Sequence, residues 1–215
     1  GDPVGTWKDK NGNGFDFTAP ANDTTRPTFK VGTGAVRWVE FDGVNDILKR
    51  AAALGMFSAA NCTVMVVGQI PANQKGTFIC EGNTGINTPI YGINNMTADF
   101  NDAAMFYRDD GGSIYVNGVI LKDEAFPVNT DFVMLMKDDS TQITISSDGV
   151  AGPTTGATSG AMTLNSTSIG ARQRTTIDDY LNLKCVAVIV WNKILDSTET
   201  AQALTYGGYL QGRSL

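Results

Sequence analysis

Glu40 and Asp42 stand two residues apart in the segment Glu40-Phe41-Asp42-Gly43-Val44-Asn45, a spacing that places two side chains on one face of a β-strand. Two carboxyl groups held about 5–5.5 Å apart can hydrolyse a glycosidic bond, one as nucleophile and the other as acid and base. In a Glu-x-Asp-x-x-Glu segment, the first and the last residue would supply these two carboxyl groups. Here Asn45 occupies the last position and cannot transfer a proton, and Gly43 interrupts the alternation. A polysaccharide hydrolase is therefore disfavoured.

The chain contains no histidine. Neither a Ser-His-Asp nor a Cys-His arrangement can be assembled, and the commonest general base near neutral pH is missing. Zinc also loses its usual nitrogen ligand. The Gly-rich segment 149–160 lacks a Lys-Ser/Thr ending and opens no helix, so it does not predict a phosphate-binding loop. We expect the protein not to be an enzyme.

Two loops carry oxygen side chains at spacings that suit calcium. Asp9, Asn11 and Asn13 alternate before Gly14, as ligands do at the start of an EF-hand loop, but Pro20 stands where the bidentate Glu is required, which excludes an EF-hand. Asp42 and Asp46 form a second candidate site. For both loops the alternative is a turn held by its own hydrogen bonds. We expect no cofactor, with calcium as the one candidate ion.

Two clusters combine an aromatic ring with planar polar groups, the combination that binds the C–H faces and hydroxyls of sugars. The first cluster comprises Tyr107, Arg108, Asp109 and Asp110. The second comprises Arg172, Arg174, Asp178, Asp179 and Tyr180. In the alternative interpretation, Tyr107 packs in the core and the charged side chains of the clusters are only the solvent-exposed residues of turns. Trp7, Trp38 and Trp191 lie in or beside apolar segments, so we predict that they pack in the core or at sheet edges.

Length and composition predict a globular domain. An all-β sandwich commonly fills 215 residues as one unit, so we expect residues 1–215 to form a single domain. A hydrophobic content of 42% with 18% charged residues suits a sizeable core and argues against disorder. The net charge of −6 leaves no basic surface for nucleic acid. The apolar runs fall far short of the ~20 residues that cross a bilayer, so we expect no membrane partner.

Three cysteines, Cys62, Cys80 and Cys185, lie far apart within apolar, strand-like runs. This pattern is typical of buried thiols rather than of a disulfide framework or zinc site, and it indicates assembly in a reducing compartment. The chain begins Gly1-Asp2-Pro3 without an initiator Met or a leader. We interpret this start as processing or excision from a longer polypeptide.

The elements that position these residues are antiparallel strands. Short alternating runs punctuated by Gly, Asn and Asp predict strands rather than helices. The predicted strands are Val36 to Phe41, Thr63 to Ile70, Thr77 to Glu81, Ile90 to Asn94, Ala104 to Arg108, Ser113 to Val116, Phe132 to Lys137, Gln142 to Ser147, Ser166 to Gly170 and Lys184 to Trp191. Tight turns are predicted at residues 109–112, 117–118 and 148–149.

One helix is predicted near the C-terminus. Asp196 and Glu199 have the spacing of a capping box. The following residues, up to Thr205, are good helix formers, and Gly207 and Gly208 are expected to end the helix.

Four short elements follow one another along the chain: Trp7, Asp9, Asn11, Gly12, Asn13 and Gly14; Phe41, Asp42, Gly43, Asp46 and Leu48; Ile169-Gly170-Ala171-Arg172; and Trp191-Asn192, Leu195-Asp196 and Glu199. In this order they resemble the laminin-G-type domains of the concanavalin A-like superfamily that occur in phage and bacterial surface proteins. Asn11 departs from the Ser that the family has at this place.

This resemblance implies an all-β, antiparallel jelly-roll sandwich with one short C-terminal helix that acts as a non-catalytic binding or adhesion module. The implied partner is a glycan or cell-surface polysaccharide. The implied location is a virion surface, as a bacteriophage tail, tail fibre or head-decoration protein, or the extracellular space, after assembly in a reducing cytoplasm. The alternative is a structural virion protein that docks onto capsid or tail proteins without binding sugar.

Overall fold

The computed structural model describes residues 1–55, 61–72, 74–87, 90–96, 102–109, 114–121, 128–139, 141–152, 155–156 and 163–215. For residues 96, 102–109, 114–121 and 155–156 the description covers the backbone alone. No described helix is long and apolar enough to cross a membrane.

The described strands form two large antiparallel sheets that face each other, which confirms the predicted all-β sandwich. Among the described residues, sheet A has nine strands: β1 (Asp2–Pro3), β4 (Thr28–Val31), β5 (Arg37–Asp42), β7 (Cys62–Gln69), β12 (Asp131–Asp138), β13 (Gln142–Ser147), β14 (Val150–Ala151), β15 (Thr155–Gly156) and β19 (Asn182–Trp191). Their order in the sheet is β1-β4-β5-β19-β7-β12-β13-β14, with β15 also paired to β13.

Sheet B has eight strands in the described part of the chain: β2 (Thr6–Trp7), β3 (Phe17–Thr18), β6 (Leu48–Arg50), β8 (Gly76–Gly82), β9 (Ile90–Met96), β10 (Asp102–Asp109), β11 (Ile114–Leu121) and β16 (Ser166–Ile169). They are ordered β11-β10-β9-β8-β16-β6-β3-β2 across the sheet. A separate hairpin pairs β17 (Arg172–Gln173) with β18 (Ile177–Asp178). Two 3-10 turns cover Asp23–Thr25 and Thr33–Ala35, and the helix α1 covers Ser197–Leu210.

Sheet A buries apolar side chains on both of its faces. On the inner face, residues such as Val39 and Phe41 pack against sheet B in the main core. On the outer face, Met65, Val67 and Val133 pack in a second core. The helix α1 covers this second core through Ala203. Successive side chains of a strand point to opposite faces. Beyond the helix, the outer face of sheet A therefore carries the outward-pointing side chains of its strands.

All ten predicted strands are present, with ends that differ by a few residues. The nine short strands β1 to β4, β6, β14, β15, β17 and β18 were not predicted. Each has two to four residues, too few to display a hydrophobic period.

The predicted turn at Asp148-Gly149 is confirmed. Asp148 has φ of 50° and Gly149 has φ of 81°, the positive values of a two-residue hairpin turn, and Ser147 pairs with Val150. The predicted turn at Asn117-Gly118 is wrong, because both residues lie inside β11. The ladder pairs Phe106 with Asn117 and Met105 with Val119, so Gly118 is the extra residue of a β-bulge.

The helix begins as predicted. The Asp196 carboxylate accepts a hydrogen bond from the Glu199 amide at 2.8 Å, and the Glu199 carboxylate accepts one from the Asp196 amide at 3.2 Å. The predicted end is wrong, because Gly207 and Gly208 lie within α1. A Cβ on Gly207 would lie 2.7 Å from Val133 Cγ1. This glycine lets the helix approach sheet A closely, and that packing offsets its low helix propensity.

The three cysteines are buried, as predicted, and none forms a disulfide. Burial raises the pKa of Cys62 and Cys185 to about 12, and the charges of Asp138 and Glu81 add to the effect at Cys62. Burial also raises the pKa of Cys80. Because the thiolate is the reactive form, these side chains act as small apolar groups.

Candidate functional site

The carboxylate of Asp9 organises the first loop of the sequence analysis. It accepts hydrogen bonds from the backbone amides of Asn11 at 3.0 Å and Asn13 at 2.8 Å. The Asp9 amide in turn donates to Asp16 at 2.8 Å, and this hydrogen bond lowers the pKa of Asp16. The loop therefore has the internal bonding of a self-supported turn.

Asp42 and Asp46 hold the second loop in a similar way. One oxygen of Asp42 accepts from the amides of Val44 at 2.8 Å and Asn45 at 3.1 Å, and Asp46 accepts from the Asp42 amide at 2.9 Å. Within the described part of the chain, no group of three or more Cys, Asp or Glu side chains is placed to hold a metal ion. Calcium binding at either loop stays a prediction, which melting with calcium and with a chelator would check.

Asp46 is 6% exposed, and burial raises its pKa to about 6, against the opposing hydrogen bond from Asp42. A carboxyl group whose pKa is raised on folding contributes stability that is complete below about pH 4 and is lost as the pH rises through about 6. Asp46→Asn should therefore be more stable than the natural protein at pH 7.5, by on the order of 2 kcal/mol, with little difference at pH 4.

The check is the difference in unfolding free energy between Asp46→Asn and the natural protein across pH 4–8. Taking the difference removes the contributions of the other carboxylates, among them Asp178 and Glu199, whose pKa values are lowered. A difference that stays constant with pH would contradict the raised pKa.

The second predicted glycan cluster is assembled on the β17–β18 hairpin. Arg172 pairs with Asp178 and with Asp179 at 2.8 Å each, and Arg174 pairs with Asp178 at 2.8 Å. Burial raises the pKa of Asp178, but the hydrogen bonds from the two arginines lower it overall. Burial, followed by the charges of Asp178 and Asp42, raises the pKa of Tyr180. The five residues do lie together, and their charges are largely satisfied within the hairpin.

The hairpin is fixed to sheet B by close backbone contact. A Cβ on Gly82 would lie 2.2 Å from the Gln173 carbonyl oxygen. The Thr77 amide donates to the Asp179 carbonyl at 2.9 Å. These contacts make the ion pairs part of a rigid corner of the sandwich.

The first predicted cluster lies at the end of β10. Tyr107, Arg108 and Asp109 pair with Val116, Tyr115 and Ile114 of β11, respectively. Their side chains and the whole of Asp110 lie outside the described residues, so sugar binding by this cluster stays a prediction.

A polar groove lies on the outer face of sheet A, beside the C-terminal end of α1. It encloses about 390 Å³ and is lined by the β4–β5 connection and by Trp38, Gln69, Asp131, Lys184, Val186 and Gln211. Ligand pockets in proteins typically enclose ≈ 300–1,000 Å³. We refer to it below as the Trp38 groove.

Strand register produces the polar side of this groove. Glu40 on β5 pairs with Lys184 on β19, Lys184 pairs with Gln69 on β7, and Gln69 pairs with Asp131 on β12. Cross-strand neighbours share a face, so these four side chains form a row across four neighbouring strands. We call this row the polar ladder.

Hydrogen bonds hold the ladder and the ring of Trp38 in place. Lys184 donates to Gln69 at 2.8 Å, and Gln69 donates to Asp131 at 3.1 Å. The indole N–H of Trp38 donates to Glu40 at 3.0 Å, and the Lys184 ammonium lies 5.8 Å from the centre of the Trp38 ring. The groove thus presents an aromatic ring beside oriented donors and acceptors.

Two further features shape the groove. The register passes from Cys185 opposite Gly68 to Ala187 opposite Val67, so Val186 is the extra residue of a β-bulge. Bulges re-aim side chains, and they are frequent beside binding sites. The side chain of Gln211 donates to the carbonyls of Gly68 at 2.9 Å and Phe132 at 3.2 Å. Gln211 therefore forms a fixed wall.

The prediction for the tryptophans holds for two of the three. Trp7 packs against the main core and Trp191 against the core beneath the helix. The prediction is wrong for Trp38, which lies in neither core and lines the groove. In β5, Val39 and Phe41 face inward, so Trp38 and Glu40 face outward. The sequence could have predicted this position. In the alternation of β5, Trp38 falls on the same face as the polar Glu40, where an aromatic ring does not pack in the core.

Comparison with known proteins gives structural matches alone. No family model matches the chain, and no curated protein matches it. Trypanosoma rangeli sialidase in complex with sialic acid matches 95% of this chain and 31% of its own, with a TM-score of 0.65 and 15% identity. Domain 4 of AbnA, an extracellular GH43 arabinanase from Geobacillus stearothermophilus, in complex with arabinotriose, matches 83% of this chain and 81% of its own, with a TM-score of 0.59 and 10% identity.

NanB sialidase from Streptococcus pneumoniae matches 66% of this chain and 24% of its own, with a TM-score of 0.55 and 13% identity. The chain therefore spans less than a third of each of these sialidases and about four fifths of the arabinanase domain. At such identities the likeness is one of fold alone.

Proposed function

We propose that this chain is a non-catalytic glycan-binding module and that the Trp38 groove is its ligand site. The observation that carries the proposal is the single constellation of Trp38, Lys184, Gln69 and Asp131 in one groove. An aromatic face takes the C–H face of a sugar ring, and the adjacent ammonium, amide and carboxylate take its hydroxyls.

The groove is preformed, which favours a binding role. Trp38, Gln69 and Lys184 each make a side-chain hydrogen bond that fixes its orientation. Ordering flexible side chains on binding costs about 0.5–1.5 kcal/mol each, and a groove already ordered avoids that cost.

The spacing of the carboxyl groups supports a non-catalytic role. Glu40 and Asp131 are three strand steps apart in the ladder, roughly 14 Å at the usual strand spacing, whereas glycosidases hold their two carboxyl groups about 5–9.5 Å apart. The sequence pair Glu40 and Asp42 is also engaged: Glu40 accepts from Trp38, and one oxygen of Asp42 accepts from the amides of its own loop.

We further propose that the domain is of the laminin-G type. Two of the resembling elements are in contact: Gly170 of the Ile-Gly-Ala-Arg element has φ of 82°, and a Cβ there would lie 2.2 Å from Phe41 of the Phe-Asp-Gly element. Such contact gives a physical reason for both motifs. Adhesion from a virion surface, and the alternative of docking onto capsid or tail proteins without sugar, stay predictions that rest on the sequence motifs.

The proposal is tested by retention of the purified chain on a panel of immobilised neutral and acidic polysaccharides. We expect retention on at least one surface, displacement by the matching soluble oligosaccharide, and no release of reducing ends during incubation. Retention on no surface would contradict glycan binding. Reducing ends that appear with the natural protein and vanish with Glu40→Ala or Asp42→Ala would contradict the non-catalytic role.

A further inference from the structure

We infer that the Trp38 groove selects uncharged glycans over acidic ones. This inference rests on the proposed function, because it assumes that the groove binds a glycan.

The charges at the groove cancel. One cation, Lys184, and one anion, Asp131, are among the described residues that line it. Lys30 and Glu40 form a second pair beside the groove, on β4 and β5. Lys30 Nζ lies 3.8 Å from Glu40 Oε1. Lys184 stands in register beside Glu40 and reaches Asp131 through Gln69. Two positive and two negative groups leave no net attraction for an anion, and the whole chain carries a net charge of −6.

The groove also lacks the group that usually binds a carboxylate. Proteins bind carboxylates preferentially with arginine, whose planar fork makes two parallel hydrogen bonds. No arginine is among the described residues that line the groove. Arg172 and Arg174, in the second predicted cluster, already pair with Asp178 and Asp179. An acidic sugar in the groove would instead face the carboxylate of Asp131, with Glu40 beside Lys184 on the next strand.

Hydroxyl groups find suitable partners in the same place. A lysine ammonium has three N–H donors, and Lys184 gives one of them to Gln69. A carboxylate has about four acceptor positions, and Asp131 uses one of them for Gln69. A sugar hydroxyl can accept from Lys184 and donate to Asp131 at once. In this arrangement Lys184 serves as a hydrogen-bond donor rather than as a counter-ion.

The variant Lys184→Gln separates these two roles, because glutamine keeps an N–H donor and removes the charge. Binding is measured by calorimetry on the full chain, with the neutral and acidic oligosaccharides of every polysaccharide that retains it, at low and high salt. We expect Lys184→Gln to weaken the affinity for a neutral oligosaccharide by about threefold, with little salt dependence. Lys184→Met, which lacks the donor, should weaken binding by about tenfold.

Three other outcomes would overturn, respectively, the inference, the role of Lys184 and the proposed function. Tighter binding of the acidic oligosaccharides, with a loss of about tenfold or more in both Lys184→Gln and high salt, would overturn the inference and leave glycan binding intact. Neutral binding that is unchanged in Lys184→Met would overturn the role of this side chain. Retention on no polysaccharide would overturn the proposed function and this inference with it.

Discussion

Trp38→Ala is expected to weaken glycan binding by about tenfold to a hundredfold, which corresponds to about 1.4–2.8 kcal/mol. The substitution removes the ring on which a sugar would stack. It also leaves Glu40 without the indole donor that orients it at 3.0 Å. The measurement is calorimetric titration with the oligosaccharide that displaces the protein from its polysaccharide.

The fold should tolerate this change. Trp38 belongs to neither hydrophobic core, so the free energy of unfolding should fall by no more than about 1 kcal/mol. Trp38→Phe keeps a ring but loses the N–H, and it should bind with intermediate affinity.

The matched control is Tyr209→Ala. Tyr209 is 75% exposed on α1 and does not line the Trp38 groove. Its loss should leave glycan affinity unchanged. Equal affinity of Trp38→Ala and the natural protein would place the binding site elsewhere on the domain.

Gly170→Ala is expected to destabilise the fold more than any other Gly-to-Ala change at a positive φ in the described chain. Gly170 has φ of 82°, where a side chain costs about 1–2 kcal/mol. Its Cβ would also lie 2.2 Å from Cδ1 of Phe41, which is fully buried, and overpacking a core costs about 1–3 kcal/mol more. The expected loss is therefore about 3 kcal/mol, measured by urea denaturation.

Gly14→Ala is the control for the backbone contribution. Gly14 has φ of 79°, close to the value at Gly170, but no atom lies within 4 Å of the position its Cβ would take. Its loss should be about 1 kcal/mol. Equal losses in the two variants would mean that Phe41 moves aside without cost and that the contact between the two motifs carries no stability.

Local features of the sequence were sufficient for ten of the described strands and for the start of the helix. Alternation in runs such as Gln142–Ser147 predicted strands, because burial on one face imposes a period of two. The capping box of Asp196 and Glu199 fixed the start of α1. The end of α1 was not predictable in this way, since Gly207 is explained by its contact with Val133, which is distant in the chain.

The candidate binding residues also differ in how well the sequence predicts that they lie together. Arg172, Arg174, Asp178 and Asp179 are close in sequence, and a two-stranded hairpin brings them together. Sequence proximity predicted their grouping, but the ion pairs that occupy them depend on side-chain geometry. The residues of the Trp38 groove come from four strands, β5, β7, β12 and β19, from the β4–β5 connection and from Gln211 after α1, which together span most of the chain.

The sequence by itself determined the antiparallel strands, the buried thiols and the absence of histidine-based chemistry, because periodicity and composition are local properties. The tertiary structure alone decided that Trp38 faces a groove and that Glu40, Lys184, Gln69 and Asp131 stand in one row. The physical reason is register. Alternation says which side chains share a face of one strand, whereas the order and offset of neighbouring strands are set by how both cores pack.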